Sequence, residues 1–372
     1  MTRRTAVIFG GAGFIGSNLA HHLLTESEAR VRIYDNLTRP GVKHNLEWLE
    51  RVAGRSRRLE VVIGDVRDSE KVGRVVRDAT EVYHFAAQVA VTTSLQDPRH
   101  DFETNMVGTF NVLEGVRQSG SRPFMLFTST NKVYGDMPDR KVRMRGERYA
   151  YEVSSHGIDE TQQLDFHSPY GCSKGAADQY VRDYARIYDI PAVVFRMSCI
   201  AGKRQFGNED QGWVAHFLYS ALNNKPIVIY GDGRQVRDVL YVGDLVSAMS
   251  AARERRETTA GEIYNVGGGA GNTTSLLELI SKIERLTSRK VQYRFEAARP
   301  GDQLIYVSDV RKLQQQTSWK PSTTVDETLA HIYKFWRENR AAIDEIAHGN
   351  LETLVPAGLG SHAGLAVMER TA

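Results

Sequence analysis

Tyr170 and Lys174 have the spacing of a general acid–base pair. A helical pattern covers Lys174–Tyr188 and opens near this pair, so the two side chains are expected one turn apart on the same face. A phenol with an ordinary pKa of about 10 is a poor base at neutral pH, and a neighbouring ammonium favours the phenolate. An isolated Tyr-x-x-x-Lys is more often an exposed pair on a helix. The interpretation therefore depends on a cofactor site elsewhere in the chain.

Two hydroxyl side chains, Ser129 and Thr130, follow the apolar run Phe124–Thr128. A side chain at the carboxyl end of a parallel strand points into the crevice where such sheets bind ligands. We predict that Thr130 bonds to the reacting hydroxyl of the substrate, with Ser129 as the second choice. The alternative is that both hydroxyls only satisfy the amides of a turn.

A glycine-rich turn follows the first apolar run and precedes a helical pattern. Gly10, Gly13 and Gly16 remove side chains where the backbone must approach a pyrophosphate, and the helix N-terminus offers free N–H groups. Asp35 ends the second apolar run, where an acid accepts the ribose hydroxyls of adenosine and repels a 2′-phosphate. This combination predicts a dinucleotide site and favours NAD over NADP, although Arg39 lies nearby.

The elements that must position these residues alternate along the first half of the chain. Short apolar runs separated by amphipathic stretches predict parallel strands covered by helices on both faces. The predicted fold is an α/β, Rossmann-like, doubly wound parallel sheet formed by residues 1–196. The predicted strands are Ala6–Phe9, Val31–Tyr34, Glu60–Ile63, Glu81–Phe85, Phe124–Thr128 and Ala192–Phe195, and the predicted helices are Ser17–Leu24, Asp101–Ser119 and Lys174–Tyr188.

The pattern loosens after residue 196. Loops alternate with predicted helices at Trp213–Leu222, Leu245–Ala252 and Ser275–Leu286. We interpret residues 197–340 mainly as a smaller substrate-binding lobe. Residues 341–372 lack periodicity, which predicts a mobile C-terminal tail.

Composition excludes several classes of function. The net charge is only +3, with 48 basic against 45 acidic residues, so neither a nucleic acid nor a polybasic membrane contact is expected. The two cysteines, Cys172 and Cys199, have no metal-ligand spacing, and we expect no metal site and a reducing compartment. The run Ala6–Phe9 indicates a first strand rather than a signal peptide, and no run is long enough to span a membrane. We expect a cytoplasmic protein.

Several motifs in this order resemble the extended short-chain dehydrogenase/reductase family over about residues 5 to 340. They are the glycine turn, His84-Phe85-Ala86-Ala87, Asn105 before Gly108-Thr109, Ser129-Thr130 and Tyr170-x-x-x-Lys174. Within that family, longer strings resemble the CDP-paratose 2-epimerases, also called CDP-tyvelose epimerases. The strings are Asp35–Leu37, Asn45–Leu49, Gln88–Ser94, Thr130–Asp136, Gln163–Tyr180 and Asp210–Val214. The segment Ile200–Gln205 departs from the Tyr-Gly-Gly-Arg-Gln-like loop that borders the sugar.

The resemblance implies NAD as the cofactor and a nucleotide-sugar, preferably a CDP-sugar, as the substrate. It implies a cofactor site made of Gly10, Gly13, Phe14, Ile15, Gly16, Asp35, Asn36, Asp65, Val66, Ala86, Ala87, Gln88, Asn105, Tyr170 and Lys174. Asp65 is placed to bond the adenine amino group, with a helix N-cap as the alternative. The implied substrate residues are Thr92, Ser94, Asn131, Lys132, Ser198, Arg204, Gln205, Arg237 and Arg299. Arg237 and Arg299 resemble the pair that binds the diphosphate.

The implied reaction is epimerisation at carbon 2 through a 2-keto sugar, with Tyr170 and Thr130 at the hydroxyl, for lipopolysaccharide O-antigen. A nucleotide-sugar 4-epimerase and a catalytically silent dinucleotide-binding regulator remain as alternatives. A 4,6-dehydratase is not expected, because such relatives carry an Asp-Glu pair where this chain has Asn131 and Lys132. The family pairs subunits through helices Asp101–Ser119 and Lys174–Tyr188, which implies a homodimer or homotetramer.

Overall fold

The computed structural model describes residues 4–153, 156–208, 210–299 and 302–352. The strands are β1 (Thr5–Phe9), β2 (Arg30–Asp35), β3 (Leu59–Ile63), β4 (Glu81–His84), β5 (Phe124–Thr130), β6 (Val142–Arg145), β7 (Arg148–Tyr151), β8 (Ala192–Met197), β9 (Cys199–Ala201), β10 (Ile227–Tyr230), β11 (Val236–Tyr241), β12 (Ile263–Val266), β13 (Thr273–Ser275), β14 (Tyr293–Glu296) and β15 (Ile305–Tyr306). The α-helices are α1 (Phe14–Glu26), α2 (Val42–Ala53), α3 (Ser69–Val76), α4 (Val91–Gln96), α5 (Pro98–Phe102), α6 (Gly108–Ser119), α7 (Pro169–Tyr188), α8 (Trp213–Leu222), α9 (Val242–Glu254), α10 (Arg256–Thr259), α11 (Leu276–Thr287), α12 (Arg311–Thr317), α13 (Val325–Glu338) and α14 (Arg340–Glu352).

Seven parallel strands form the central sheet, in the order β12-β8-β5-β4-β1-β2-β3. Strands β1 and β5 are buried along their whole length, as expected when helices cover both faces. One apolar cluster fills the face under α1 and α9, and a second fills the face under α3, α6 and α7. The strand order reverses between β1 and β4, so a crevice opens at the carboxyl ends of these two strands. The predicted doubly wound fold is confirmed.

The central helix is not one continuous α-helix. The sequence pattern predicted Asp101–Ser119, whereas the structure has α5, then a π-helical turn at Glu103–Val107, and then α6. A π turn is a short insertion, and the helical segment on each side of it keeps its own helical spacing. Periodicity therefore could not reveal it.

The chain crosses the boundary predicted at residue 196 in both directions. Strand β12 pairs with β8 in the central sheet, and Leu245 of α9 belongs to the same apolar cluster as α1. In the other direction, the hairpin β6–β7 leaves the first half and packs Tyr149 and Tyr151 against Val236 of β11. The remaining strands and helices form a second lobe around a core of its own. The substrate lobe is thus tied to the sheet at several points.

The tail prediction is wrong for its first residues. Helix α14 covers Arg340–Glu352, and Ile343 is buried against the core of the second lobe. The buried side chain of Ile343 packs this segment against the core. A single apolar residue produces no helical periodicity, so the sequence pattern did not predict the helix. Residues 353–372 lie outside the described part. No helix in the described ranges is both long and apolar enough to cross a membrane.

Candidate active site

The glycine turn after β1 lies where two backbones come close together. Gly10 has a φ of +74°, and a Cβ placed there would lie 2.7 Å from the amide nitrogen of Ala86 in the loop after β4. A Cβ on Gly16 would lie 2.3 Å from the carbonyl oxygen of Gly10. Gly13 is the N-cap of α1 and makes no side-chain cap. The first amides of α1, at Phe14 and Ile15, therefore remain available for an anion such as a pyrophosphate.

Asp35 ends β2 and supports this turn. Its carboxylate accepts hydrogen bonds from the amides of Ala12 at 3.0 Å and Leu37 at 2.9 Å. Burial raises the pKa of Asp35, and these amides act in the opposite direction. Each carboxylate oxygen has a second lone pair, so the group can still accept ribose hydroxyls. The residues around the turn thus fit an NAD molecule.

Asp65 and Asn36 lie next to each other beside this site. Arg67 donates two hydrogen bonds to Asp65, at 2.9 Å and 2.8 Å, and holds the pKa of that carboxyl down to about 2. The amide nitrogen of Asn36 lies 3.4 Å from the same carboxylate. The N-cap alternative for Asp65 is wrong, because Asp68 caps α3. Contact between Asp65 and adenine stays a prediction.

Asn105 lies in the π turn and fastens the loop after β4. Its side chain accepts from the amide of Gln88 at 2.9 Å and donates to the carbonyl of the same residue at 3.0 Å. Its amide nitrogen also donates to Asp101 at 3.0 Å. Two predicted cofactor residues are therefore held together by paired bonds, and the loop containing Ala86 and Ala87 is fixed between them.

The structure brings the three leading catalytic candidates together. Ser168 caps α7 by accepting from the amide of Gly171 at 3.0 Å, which places Tyr170 in the first turn of the helix. The side chain of Thr130 at the end of β5 lies close enough to the phenol of Tyr170 to lower its pKa. Lys174 is buried one turn further along α7, with its ammonium 4.1 Å from the centre of the Phe127 ring.

Burial shifts the pKa values of Tyr170 and Lys174 in opposite directions. It raises the pKa of Tyr170 to about 12, and the hydrogen bond from Thr130 acts against this shift. It lowers the pKa of Lys174 to about 7, although Asp178 and Asp101 favour the ammonium. A phenol with this pKa needs further positive charge nearby to act as a base, and a bound nicotinamide would provide one.

The two candidate hydroxyls behave differently. Thr130 accepts from the amide of Lys132 at 3.2 Å, so it satisfies a turn amide as well as contacting Tyr170. Ser129 is buried, and its hydroxyl has no hydrogen-bond partner within the described residues. The alternative that the hydroxyls only satisfy turn amides therefore accounts for one hydrogen bond of Thr130. It does not account for the buried hydroxyl of Ser129.

Three predicted substrate residues contact Asp302 or its neighbour Gln303, which both belong to the second lobe. Asp302 accepts from Arg237 at 2.7 Å, and the ammonium of Lys132 lies 3.5 Å from the same oxygen. Next to it, Gln303 accepts from the side chain of Asn131 at 3.1 Å. The sequence analysis missed Asp302 and Gln303. Asp302 lies only three residues after Arg299, but only the arginine was considered as a candidate.

Four further predicted residues line or support this region. The guanidinium of Arg299 lies 3.8 Å from the centre of the Tyr230 ring, and the hydroxyl of Ser198 donates to the carboxylate of Asp238. Thr92 and Gln205 each keep a buried side-chain oxygen without a partner in the described ranges. Contact of these two residues with the substrate stays a prediction.

Arg204 and Ser94 have structural contacts instead. The guanidinium of Arg204 lies 4.1 Å from the centre of the Trp48 ring on α2 and 5.1 Å from that of Phe335 on α13. Ser94 is fully buried and accepts from the amide of Tyr170 at 3.2 Å. Arg204 thus joins two helices, and Ser94 supports the start of α7.

Family comparison agrees with this fold and site. The model of the family described as GDP-mannose 4,6 dehydratase matches residues 7–332. The chain belongs to this family, which is part of the extended short-chain dehydrogenases/reductases.

Individual relatives are epimerases and dehydratases. The chain is 41% identical over 334 residues to the CDP-paratose 2-epimerase of Salmonella typhi, covering 88% of this chain and 97% of that protein. It is 30% identical over 365 residues to the dTDP-glucose 4,6-dehydratase of Salmonella typhimurium, covering 94% and 97%.

Solved structures show the same architecture. The UDP-glucose 4-epimerase of Thermotoga maritima with UDP-glucose superposes with a TM-score of 0.77 at 27% identity, covering 90% of this chain and 99% of that one. The UDP-glucuronic acid 4-epimerase of Bacillus cereus, in complex with UDP-glucuronic acid and NAD, has a TM-score of 0.77 at 26% identity with the same coverage.

Proposed function

We propose that this protein is an NAD-dependent nucleotide-sugar epimerase that inverts carbon 2, converting CDP-paratose to CDP-tyvelose. The observation that carries the enzyme class is that Thr130 ends a strand of the central sheet beside Tyr170, with Lys174 on the same helix as Tyr170 and the glycine turn at the same edge of the sheet. The similarity to the CDP-paratose 2-epimerase, at 41% identity, supports the sugar and the nucleotide.

The chain's own residues supply proton transfer and binding. When bound, NAD supplies reversible acceptance of hydride from the sugar carbon. Tyr170 takes the proton of the sugar hydroxyl and later returns it, while Thr130 holds that hydroxyl in line. Arg237, Lys132 and Arg299 provide the positive charge that a diphosphate requires.

The residues after Thr130 argue against elimination of water. A 4,6-dehydratase needs one carboxyl to protonate the leaving hydroxyl and another to accept a proton from carbon 5. This chain has the amide of Asn131, bonded to Gln303, and the ammonium of Lys132, paired with Asp302. Neither group can supply that pair of functions, so no 4-keto-6-deoxy product is expected from any nucleotide-hexose.

We also propose that the protein pairs through α6 and α7 as a homodimer or homotetramer. Phe110 on α6 and Tyr180 on α7 are 39% and 45% exposed and contact each other edge to face. Such an exposed aromatic strip is typical of a subunit interface. Free thiols at Cys172 and Cys199 fit a reducing compartment, and we place the reaction in the cytoplasm, in deoxysugar synthesis for lipopolysaccharide.

A 4-epimerase is the second candidate. The structural neighbours from Thermotoga maritima and Bacillus cereus are 4-epimerases, and their fold matches this one closely. The same tyrosine, lysine and hydroxyl would serve inversion at carbon 4 if the sugar were bound in another orientation. Only the substrate screen below separates the two.

The test is a screen of CDP-, UDP-, GDP- and dTDP-sugars with the purified protein, with the product identified by NMR. We expect the parent protein to invert carbon 2 of CDP-paratose. We expect the Tyr170→Phe variant to leave the substrate essentially unconverted. Inversion only at carbon 4 would assign the protein to the 4-epimerases. Absence of turnover on every nucleotide-sugar would leave the dinucleotide-binding regulator as the better interpretation.

A further inference from the structure

Asp101 is a fully buried acid that the proposed reaction does not use. It lies in α5, directly before the π turn, and packs against α7. One carboxylate oxygen accepts from the side-chain amide of Asn105 at 3.0 Å, and the other accepts from the hydroxyl of Ser173 at 2.5 Å. Both partners are neutral donors.

The surrounding bonds fix the direction of these contacts. The oxygen of the Asn105 side chain accepts from the amide of Gln88, so its nitrogen must face Asp101. The same nitrogen lies 3.2 Å from the hydroxyl oxygen of Ser173, which leaves the hydroxyl proton free for the acid. Burial raises the pKa of Asp101, and the hydrogen bond from Ser173 acts against this shift, because a carboxyl that accepts at both oxygens is favoured in its ionised form.

The bond from Ser173 holds this buried acid against the turn of α7 that also carries the buried side chain of Lys174. Ser173 directly precedes Lys174 on α7, and Asp101 and Lys174 attract each other electrostatically. Lys174 is faced by Asp178 from its own helix, by the ring of Phe127 from β5 and by His84 from β4, while His100 acts on Asp101.

The two acids near Lys174 are not equivalent. Asp178 binds the buried guanidinium of Arg196 through two bonds, at 2.7 Å and 3.0 Å. Its charge is therefore largely compensated by that arginine. Asp101 binds only neutral donors, so its charge acts on Lys174 without such compensation.

We propose that Asp101 is a positioning residue whose fixed negative charge keeps the buried side chain of Lys174 in the ammonium form. The proposal rests on the proposed function only for the use that the reaction makes of Lys174. Burial alone drives this lysine toward the neutral amine, which would no longer favour the phenolate. Asp101 also raises the pKa of Tyr170 directly. Its benefit must therefore come through Lys174, and the test must measure that group.

Asp101→Asn removes the charge and keeps the shape. The new amide oxygen can still accept from Asn105, the new amide nitrogen can donate to Ser173, and the Ser173 hydroxyl can turn to the carbonyl of Tyr170, 3.2 Å away. The lysine Cε signals of the cofactor-loaded protein are followed by carbon-13 NMR, with Lys174→Met for assignment. We expect the pKa of Lys174 to fall by about one unit.

Ser173→Ala is the matched control, because it removes a hydrogen bond to Asp101 and keeps the charge. We expect lower stability and a smaller shift in the titration of Lys174 than in Asp101→Asn, because the acid keeps its charge but loses one of the donors that favour the ionised form. In the pH profile of kcat/KM, Asp101→Asn should move the alkaline limb to lower pH further than Ser173→Ala does, with activity recovering as the pH is lowered. An unchanged Lys174 titration in Asp101→Asn, or an equal shift in Ser173→Ala, would overturn the proposal.

Two further outcomes keep the test decisive. If Asp101→Asn does not fold, the parent protein is titrated to acid pH, where the Lys174 signal must respond as Asp101 takes up its proton. The absence of any response would reject the proposal. If the parent protein does not epimerise any sugar, the proposed function fails, while the lysine titration still decides the role of Asp101.

Discussion

Tyr170 and Lys174 show how burial sets the order in which two residues lose their protons. The pKa of Lys174 is lowered to about 7 and that of Tyr170 is raised to about 12, both mainly by burial. Without further charges, the lysine is neutral before the phenol ionises. The reaction at neutral pH therefore depends on the groups that favour the ammonium and the phenolate together.

Tyr170→Phe tests the proton transfer. The change removes one hydroxyl whose side-chain partner is Thr130, so the fold should persist. Loss of a general acid–base group typically costs about 100- to 10,000-fold in rate. We expect turnover to fall by this factor while NAD still co-purifies, as measured by absorbance of the supernatant after denaturation. Near-normal turnover would show that another group transfers the proton.

Lys174→Met tests whether the buried ammonium is held at a cost in stability. The pKa of Lys174 in the folded protein, about 7, lies below its ordinary value of 10.5. Between these values only the unfolded chain binds the proton, so stability rises with pH there and the penalty is complete below about pH 7. We expect the inactive variant to be more stable than the parent at pH 6, by up to about 5 kcal/mol.

Urea unfolding at pH 6 and pH 9 measures this difference. The advantage of Lys174→Met should shrink at the higher pH, where the folded parent no longer carries the charge. A variant that is equally destabilised at both values would show that lost packing against Phe127 outweighs the charge. In that case the ammonium would impose no measurable cost.

At the scale of elements, regular patterns were predictable and local backbone geometry was not. Strand β1 was predicted at Ala6–Phe9 and runs Thr5–Phe9, because a buried parallel strand needs a continuous apolar run. Helix α8 has the predicted bounds, Trp213–Leu222. The π turn at Glu103–Val107 was not predicted. It is accompanied by side-chain hydrogen bonds of Asn105, and residue spacing does not reveal such bonds.

Gly10→Ala tests the glycine turn as an element. The new methyl would lie 2.7 Å from the amide nitrogen of Ala86, in a backbone with φ of +74°. Because the backbone of the turn must shift, we expect the protein to lose co-purified NAD and several degrees in Tm. Gly73→Ala in α3 is the matched control, since nothing lies within 4 Å of its Cβ position.

The control should behave in the opposite way. Alanine inside a helix is favoured over glycine by about 0.5–1 kcal/mol, so Gly73→Ala should retain NAD and be slightly more stable. Equal NAD retention in both variants would mean that the close contact between the two loops does not shape the cofactor site. The measurement is NAD content per protein together with Tm.

At the scale of the whole molecule, the site is assembled from segments that are far apart in sequence. Tyr170 and Thr130 were found because each follows a recognisable motif on the first half of the chain. Asp302 and Gln303 were missed, since their contacts with Lys132 and Asn131 exist only when the second lobe folds back. The substrate contact of Arg204 stays a prediction, and the packing of its guanidinium against Trp48 was not predicted. Spacing along the chain therefore predicts residues that share one element better than contacts between segments that are far apart in sequence.

The last prediction concerns the path of the hydrogen on carbon 2. An enzyme that inverts a centre by deprotonation exchanges that hydrogen with solvent, whereas a hydride passed to bound NAD and back would not exchange, because the carbon–hydrogen bond of reduced nicotinamide is not acidic. CDP-paratose turned over in deuterated water should therefore give CDP-tyvelose without deuterium at carbon 2. Substrate deuterated at carbon 2 should keep its label and react more slowly where hydride transfer limits the rate. Deuterium gained from solvent at carbon 2, detected by NMR of the product, would reject the NAD mechanism. Inversion at carbon 4, with retention of deuterium placed on carbon 4, would support the same NAD mechanism with the sugar bound in another orientation. The same Tyr170, Thr130 and Lys174 can serve either carbon.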